Sequence, residues 1–509
     1  MSVRVKVPSG ANGMILSEWL VSSGYQLSAH CGGRGVCGKC RVKVITGAFG
    51  DKNSPGDLLQ PDREGYLLSC RAVCLCSEAE IILPDTGGTG LTEFEKKSFG
   101  GGGKGYGIAV DIGTTTVAAV LVDRSTGRII GTQSSLNPQR SFGADVISRI
   151  SAASAGKLES LRTLIVGEIN RMISEFRKSY PDKNADDAVV SGNTTMLHLF
   201  CGVSPESMGV YPFTPVFTEM RQESGANFGL EIKKVTVLPS ASAFIGSDIT
   251  AGIAYCGLSE LESPSLLVDI GTNGEMVICK GKSSDGKYYC ASAAAGPALE
   301  GANISCGVGG INGAVCRVTK ENGRIKYRTI GDKPVCGVCG SGLIDIIALM
   351  LDDEVIDETG YLEEAYRLNG EHITADGKPI DGEVESEIVI TQKDVREFQL
   401  AKSAISAGID ALSDYAELKP EEIENVFIAG GLGFYMSVEN AKRTGLIPSA
   451  LKGKITAVGN TSLAGAISCL SDKENLNSVA RAARNCVSYE LNESPVFSKE
   501  FIENMVFPD

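Results

Sequence analysis

Three cysteines stand close together near the start of the chain: Cys31, Cys37 and Cys40, in "HCGGRGVCGKC" (30–40). The spacing is C-x5-C-x2-C, and Cys70 follows after 29 intervening residues. Four thiolates satisfy a 2Fe–2S cluster, two on each iron. The glycines at 32, 33, 35 and 38 suit a loop wrapped tightly round such a group. Glycine turns through positive φ without a steric cost, and its bare amides can donate to the sulfides. Zinc also binds four thiolates, but its knuckles usually come as two close pairs, and here there is one pair with two single cysteines. A Rieske centre needs two histidines, and only His30 is near. Cys74 and Cys76 compete with Cys70 for the fourth place, and spacing alone does not choose among them.

A second set of residues is acidic and rich in threonine. "YGIAVDIGTTTVAAVLVD" (106–123) and "SLLVDIGTNGEMVICK" (265–280) share one pattern: an apolar strand, Asp-Ile-Gly-Thr, and a second strand. This is not a P-loop, because the lysine is missing and no helix follows. It still suits phosphate. Consecutive amides of a Gly-Thr-Thr turn can cradle an anion, and Thr114, Thr115 and Thr116 add hydroxyls. Asp111 and Asp269, each at a strand end, can hold Mg²⁺ directly or through water. Two such turns facing each other would bring both aspartates to one metal–triphosphate, the positioning and charge stabilisation that phosphoryl transfer requires. Three further segments are candidates. Asn193, in "SGNTTML" (191–197), stands at a helix start, where it would cap the helix or face the cleft. Glu300, between glycines in "AAAGPALEGANIS" (293–305), could position an attacking water. Gly340 and Ser341, after the Cys336–Cys339 C-x-x-C, are candidate nucleotide contacts.

These residues need elements to hold them. "SVRVKV" (2–7) alternates as a strand does, "MILSEWLVSSG" (14–24) reads as a short helix, and "RVKVITG" (41–47) and "EIILP" (80–84) read as strands. Residues 1–85 therefore form a small α+β domain. Residues 86–105 are glycine-rich without apolar periodicity and read as a flexible linker, with a span of roughly 25 Å. Residues 106–509 alternate strands and helices, an α/β signature. "AVVSGNTTMLHLF" (188–200) and "NVFIAGGLGFYMS" (425–437) are a second internal echo, each a strand, a glycine turn and a helix. The expected architecture is a duplicated domain with a cleft between lobes, lobe I at 106–262 and lobe II at 263–509.

The bulk properties narrow the function. A net charge of −14 argues against a nucleic-acid partner held through phosphates. No run of eighteen apolar residues exists to cross a membrane, and the N-terminus has no leader pattern. Sixteen cysteines in a long chain predict a reducing cytoplasm with mostly buried thiols. The three histidines, His30, His198 and His372, exclude a His-rich zinc site.

Residues 1–85 resemble a plant- or adrenodoxin-type ferredoxin of the β-grasp fold, which implies Cys70 as the fourth ligand, since that family's last cysteine follows a short apolar run such as "YLL". "AVDIGTTT", "VDIGTNGE" and "IAGGLG" (428–433) resemble the motifs of the actin, sugar and acetate kinase and seventy-kilodalton chaperone superfamily over about 106–470. That resemblance implies an RNase-H-like fold in each lobe with ATP between them. It assigns phosphate contacts to Gly113, Thr114, Thr115, Gly271, Thr272 and Asn273, metal-linked roles to Asp111 and Asp269, and the adenosine to Gly430 and Gly431.

The whole chain is similar to the reductive activators of corrinoid proteins, through "NPQRSFGADVISRI" (137–150), "SGNTTMLHLFCG" (191–202), "VDIGTNGE" (268–275) and "SAAAGPALEGANISCGV" (292–308). The resemblance implies ATP-coupled reduction of a Co(II) corrinoid to Co(I) in a methyl-transfer protein, an upstream low-potential electron donor, and an anaerobic host. Some members carry an extra domain of about a hundred residues, linked to dimerisation, where this chain runs straight into "YGIAVDIG"; the oligomeric state is left open, a homodimer included. A nucleotide-gated redox sensor or scaffold, and a small-molecule kinase with a fused ferredoxin, are the alternative readings.

Overall fold

The structure, a computed structural model, describes residues 3–23, 25, 35, 40–62, 65–75, 78–83, 99–380, 387–433 and 435–508. Strands β1 (Val3–Val7), β2 (Arg41–Thr46), β3 (Tyr66–Leu68) and β4 (Ala79–Leu83) form an antiparallel sheet in the order β1-β4-β2-β3. Helix α1 (Leu16–Ser22) lays Leu16 and Leu20 on it, against Val5, Val7, Val42 and Ile81. Helix α1 also lies near the Pro138–Ser141 turn of the next domain. Of the expected linker 86–105, residues 99–105 are described. They run along the turn at 123–127, where the amides of Gly102 and Gly103 donate to the Arg124 carbonyl at 3.3 and 3.1 Å.

Two six-stranded sheets follow, and they are built alike. The first contains β5 (Tyr106–Ile112), β6 (Thr116–Asp123), β7 (Arg128–Leu136), β8 (Ala185–Gly192), β9 (Arg221–Ser224) and β10 (Lys234–Val237), ordered β7-β6-β5-β8-β10-β9. The second contains β11 (Ser265–Ile270), β12 (Gly274–Cys279), β13 (Tyr288–Ala293), β14 (Asn425–Ala429), β15 (Lys454–Gly459) and β16 (Cys486–Ser488), ordered β15-β14-β11-β12-β13-β16. In each, an antiparallel meander is flanked by parallel strands: β8 beside β5, β14 beside β11. The central strands read as nearly unbroken apolar runs because both faces are covered. Asp111 and Asp269 come at the ends of two of these runs, in equivalent places.

Each sheet is covered partly by a helix from the other half. Helix α4 (Ser247–Cys256) follows β10, yet Ile249 and Ile253 pack with Leu267 and Val277 of the second sheet. Helix α7 (Thr461–Ser471) follows β15, yet Leu463, Ile467 and Leu470 pack with Ala109, Val120 and Val122 of the first. Buried aliphatic side chains of this size contribute about 2 kcal/mol each, so these crossings hold the halves together more firmly than polar contacts across a cleft could. The two helices cross closely: a Cβ on Gly465 would fall 2.6 Å from the Ala251 carbonyl oxygen. Helices α5 (Gly340–Asp352) and α6 (Gln392–Tyr415) cover the outer face of the second sheet. Among the described residues, no helix is long and apolar enough to cross a membrane.

Candidate functional site

Both hairpin turns open toward the same place. Glu300, at the end of the Pro297–Glu300 turn, reaches between them. Thr115 donates its hydroxyl to Glu300 Oε2 at 3.0 Å, and Thr272 donates to the same oxygen. One carboxylate oxygen thus joins turns 157 positions apart in the chain.

Beneath this bridge lie buried acids. Asp111 accepts from Asn460 Nδ2 and Ser462 Oγ, both at 2.7 Å. Its pKa is raised by burial, against those two hydrogen bonds. Burial, then the neighbouring Asp111 and Glu300, push Asp269 up to about 7. Asp248, on the first turn of α4, is pushed to about 8 by burial and by Asp269 and Asp111. Glu275 is raised well above the usual range by burial, then by Asp248 and Asp269. Like charges this close cannot all ionise in a low-dielectric site, and a cation would discharge them. Among the described residues no three His, Cys, Asp or Glu side chains converge tightly enough to cage a metal. The arrangement therefore fits an ion shared with a phosphate ligand, the usual mode for Mg²⁺.

The first turn is held from several sides. Asn193 Nδ2 donates to Thr114 Oγ1 at 2.9 Å, while its Oδ1 accepts from Met196 N at 2.9 Å. It therefore caps α3 (Thr194–Cys201) and also reaches the turn. Thr116 begins β6 opposite Leu136. In the second turn, the Gly271 amide donates to Asn273 O at 2.9 Å, and Asn273 also acts on Glu275. Gly430 has a φ of 88°, and a Cβ there would lie 2.6 Å from the Ile270 carbonyl oxygen and 3.0 Å from Asp269 Oδ1. Only glycine fits that approach. Nothing crowds Gly431, which faces open space.

Two candidates lie beside the Glu300 turn with their own partners. Ser341 is buried, with its hydroxyl donating to Cys316 O at 3.0 Å, so it is spent in the core rather than at the cleft. A Cβ on Gly340 would meet Leu299 O at 2.0 Å, so its glycine allows α5 to pack against the Glu300 turn. Cys339 is likewise buried, against Val315 O.

At the other centre, the Cys40 and Cys70 sulfurs lie 3.2 Å apart in their own pocket with Leu68. A hydrogen bond from Cys70 lowers the Cys40 thiol to about 6, against the effect of burial. A thiolate poised this way is the form that binds iron. Cys74 instead packs with Leu16, Phe49 and Ile81 in the domain core. Cys31, Cys37 and Cys76 lie outside the described residues.

The sequence reading missed Asp248, Glu275, Asn460 and Ser462. Asn460 had a readable signal. "GNT" at 192–194 recurs at 459–461, each time from a strand end into a helix. Both asparagines do the same work: Asn460 Oδ1 accepts from Leu463 N at 2.8 Å, and its amide reaches the first turn's aspartate. Asp248 had only the weak sign of an acid in the first turn of a helix.

Comparison with known proteins matches three segments of the chain. Residues 2–75 match the 2Fe-2S iron-sulfur cluster binding domain, 106–261 the RACo middle region, and 263–509 the C-terminal domain of RACo, the ASKHA domain. The chain is 35% identical over 427 residues to the corrinoid activation enzyme RamQ of Eubacterium limosum, covering 79% of this chain and 70% of the relative. It is 28% identical over 430 residues to the [Co(II) methylated amine-specific corrinoid protein] reductase of Methanosarcina barkeri, covering 76% and 74%. Among solved structures, a reductive activator for a corrinoid, iron-sulfur protein superposes with a TM-score of 0.72 at 28% identity, over 99% of this chain and 96% of that one.

Proposed function

Since the chain belongs to the family of reductive activators of corrinoid proteins, we propose that it uses ATP to drive one electron onto the Co(II) corrinoid of a partner protein, giving the Co(I) state that accepts a methyl group. The observation that carries this reading is the pairing of two centres in one chain. A thiol pair sits in a ferredoxin domain, and two phosphate turns meet at Glu300 in a duplicated α/β domain. A ferredoxin alone has no use for the second centre, and a kinase has none for the first.

The chain's residues divide the work as follows. Cys31, Cys37, Cys40 and Cys70 would hold a 2Fe–2S cluster, which when bound supplies a one-electron carrier loaded by a low-potential donor. Gly113 to Thr116 and Gly271 to Asn273 bind the triphosphate from opposite sides. Asp111 and Asp269, with Asp248 coupled to both, would balance the charge of Mg²⁺ bound with the triphosphate. Gly431 leaves room for the adenosine. Glu300, which faces both turns, would orient the attacking water and take its proton. While Glu300 holds Thr115 and Thr272 together, the turns are linked. A nucleotide that takes over those donors changes how the lobes meet, and hydrolysis to ADP and phosphate changes it again. An electron step roughly 250 mV uphill costs about 6 kcal/mol. Differential nucleotide binding to two arrangements can supply that amount. Such a reaction belongs in the reducing cytoplasm.

The test mixes reduced full-length protein, Mg-ATP and a Co(II) corrinoid protein and follows the Co(I) absorption band. The band should grow with ATP and stay small without it. Equal growth in both arms would sink the coupling.

A further inference from the structure

Behind the first phosphate turn lies a charge that no role above uses. Arg149, on α2 (Val146–Ala152), is fully buried. It makes no ion pair among the described residues, and its donors go to neutral groups. Nε donates to Gly143 O at 3.0 Å, Nη1 to Met196 Sδ at 3.0 Å, and Nη2 to Thr114 O at 2.6 Å. A guanidinium buried without a carboxylate is costly. Burial lowers its pKa to about 9, with Arg140 acting the same way and Asp145 opposing. It therefore stays charged at neutral pH.

Its position makes sense beside Asn137. The Gly113 carbonyl accepts from Asn137 Nδ2 at 2.8 Å, the Thr114 carbonyl from Arg149, and the Thr115 carbonyl from the Asn137 backbone amide at 2.9 Å. Three successive carbonyls are thus drawn to the back of the turn. In a planar trans peptide the N–H points opposite to its C=O. The amides of Thr114, Thr115 and Thr116 consequently face the front, where Thr115 reaches Glu300. The Thr114 and Thr115 amides donate to no backbone carbonyl among the described residues. Successive free amides on one side of a turn form an anion-binding concavity. A neutral side chain could also draw back the Thr114 carbonyl. The buried charge adds something a neutral donor lacks, a positive potential directly behind the phosphates and little screened by water.

We propose that Arg149 and Asn137 form a back clamp that presents the first turn's amides to the polyphosphate, and that the Arg149 charge makes nucleotide affinity depend on the number of phosphates. This rests on the reading of the cleft as an ATP site. Both are positioning residues, since neither touches the nucleotide.

The experiment measures binding of ATP, ADP and adenosine, with Mg²⁺, to the full chain and to Arg149→Gln, Arg149→Lys and Asn137→Ala. In Arg149→Gln, ATP affinity should fall about 10- to 100-fold, ADP affinity less, and adenosine affinity little. Arg149→Lys keeps the charge without the fork and should recover part of the ATP loss. Asn137→Ala retains the backbone donor and should show a smaller loss in the same order. A merely structural role would lower all three ligands alike. Such a parallel loss, or no loss, in the variants that fold overturns the clamp. If the unsubstituted protein fails to bind ATP, the cleft reading itself falls, which is a separate outcome.

Discussion

The two phosphate turns sit on the same topology but live in opposite surroundings. The first is gripped by amide, hydroxyl and guanidinium donors: Asn137, Arg149, Asn193, and Asn460 and Ser462 on its aspartate. The second carries more acid of its own, Asp269 and Glu275, while Asp248 lies within reach of the aspartates of both turns. A duplicated fold has kept its frame and divided its chemistry. Both turns contribute an aspartate to the acidic centre, but the first adds most of the donors that suit anionic oxygens and the second adds a further acid, Glu275, that suits a cation. The difference also shows in packing. Asn460 and Ser462 belong to α7, the helix that crosses over to cover the first sheet, so the second half of the chain helps build the first turn.

The sharpest way to break that comparison is to neutralise each side. Asp269→Asn should cut ATP-driven reduction by on the order of 100-fold or more, because it removes the cation's ligand from the acidic side. Nucleotide binding without metal should survive. Thr115→Val on the donor side should weaken phosphate binding with or without metal, by about 10-fold. Activity with Mg²⁺ and Mn²⁺ and binding in EDTA separate the two patterns. If Asp269→Asn and Thr115→Val give the same pattern, the division of labour is wrong.

A second test uses pH. Asp269 near 7 and Asp248 near 8 both lie above their ordinary value of 3.8. Between that value and the folded pKa, the folded protein binds more protons than the unfolded one, so stability falls as pH rises. Without ligand, Tm should decline from about pH 5 to 8 and then level off as the last acid ionises. Cation binding displaces those protons, so Mg-ATP should stabilise more at pH 8 than at pH 6. Asp248→Asn should flatten the unliganded profile. A Tm that rises across this range would show that the acids are not held protonated.

How much of this was readable from residue order depended on distance along the chain. The hairpins were legible because strand, turn and strand are contiguous, and because Asp-Ile-Gly-Thr occurs twice. The cysteines at 31, 37 and 40 could be named for the same reason, since they fall in one contiguous stretch of the sequence. The partners of Asp111 were not, since Asn460 lies 349 positions away and arrives only because α7 crosses between lobes. Arg149 could be quoted within a family-like segment without any role, because its role is to hold a carbonyl, and carbonyls carry no sequence signature. Ser341 is a different case. A small polar residue at a helix start looked like a ligand contact, and burial in the core took its hydroxyl.

The smallest expected effects compare the twin asparagines. Both cap a helix, so each replaced by alanine should cost about 1 kcal/mol of stability. That common loss sets a baseline. Beyond it, their second bonds differ. Asn193 holds a threonine hydroxyl, whereas Asn460 holds a buried carboxylate, and removing a donor from a charged group costs roughly twice as much as from a neutral one. Asn460→Ala should therefore be the more destabilising, and it should raise the Asp111 pKa further by taking away a bond that favours the ionised form. The extra loss should then grow with pH, because a neutral Asp111 needs that donor less. Urea unfolding of both variants at pH 6 and pH 8 measures this. A gap between Asn460→Ala and Asn193→Ala that widens at pH 8 supports the division of the two turns. Equal losses at both pH values would mean that the repeated Gly-Asn-Thr serves only to start helices.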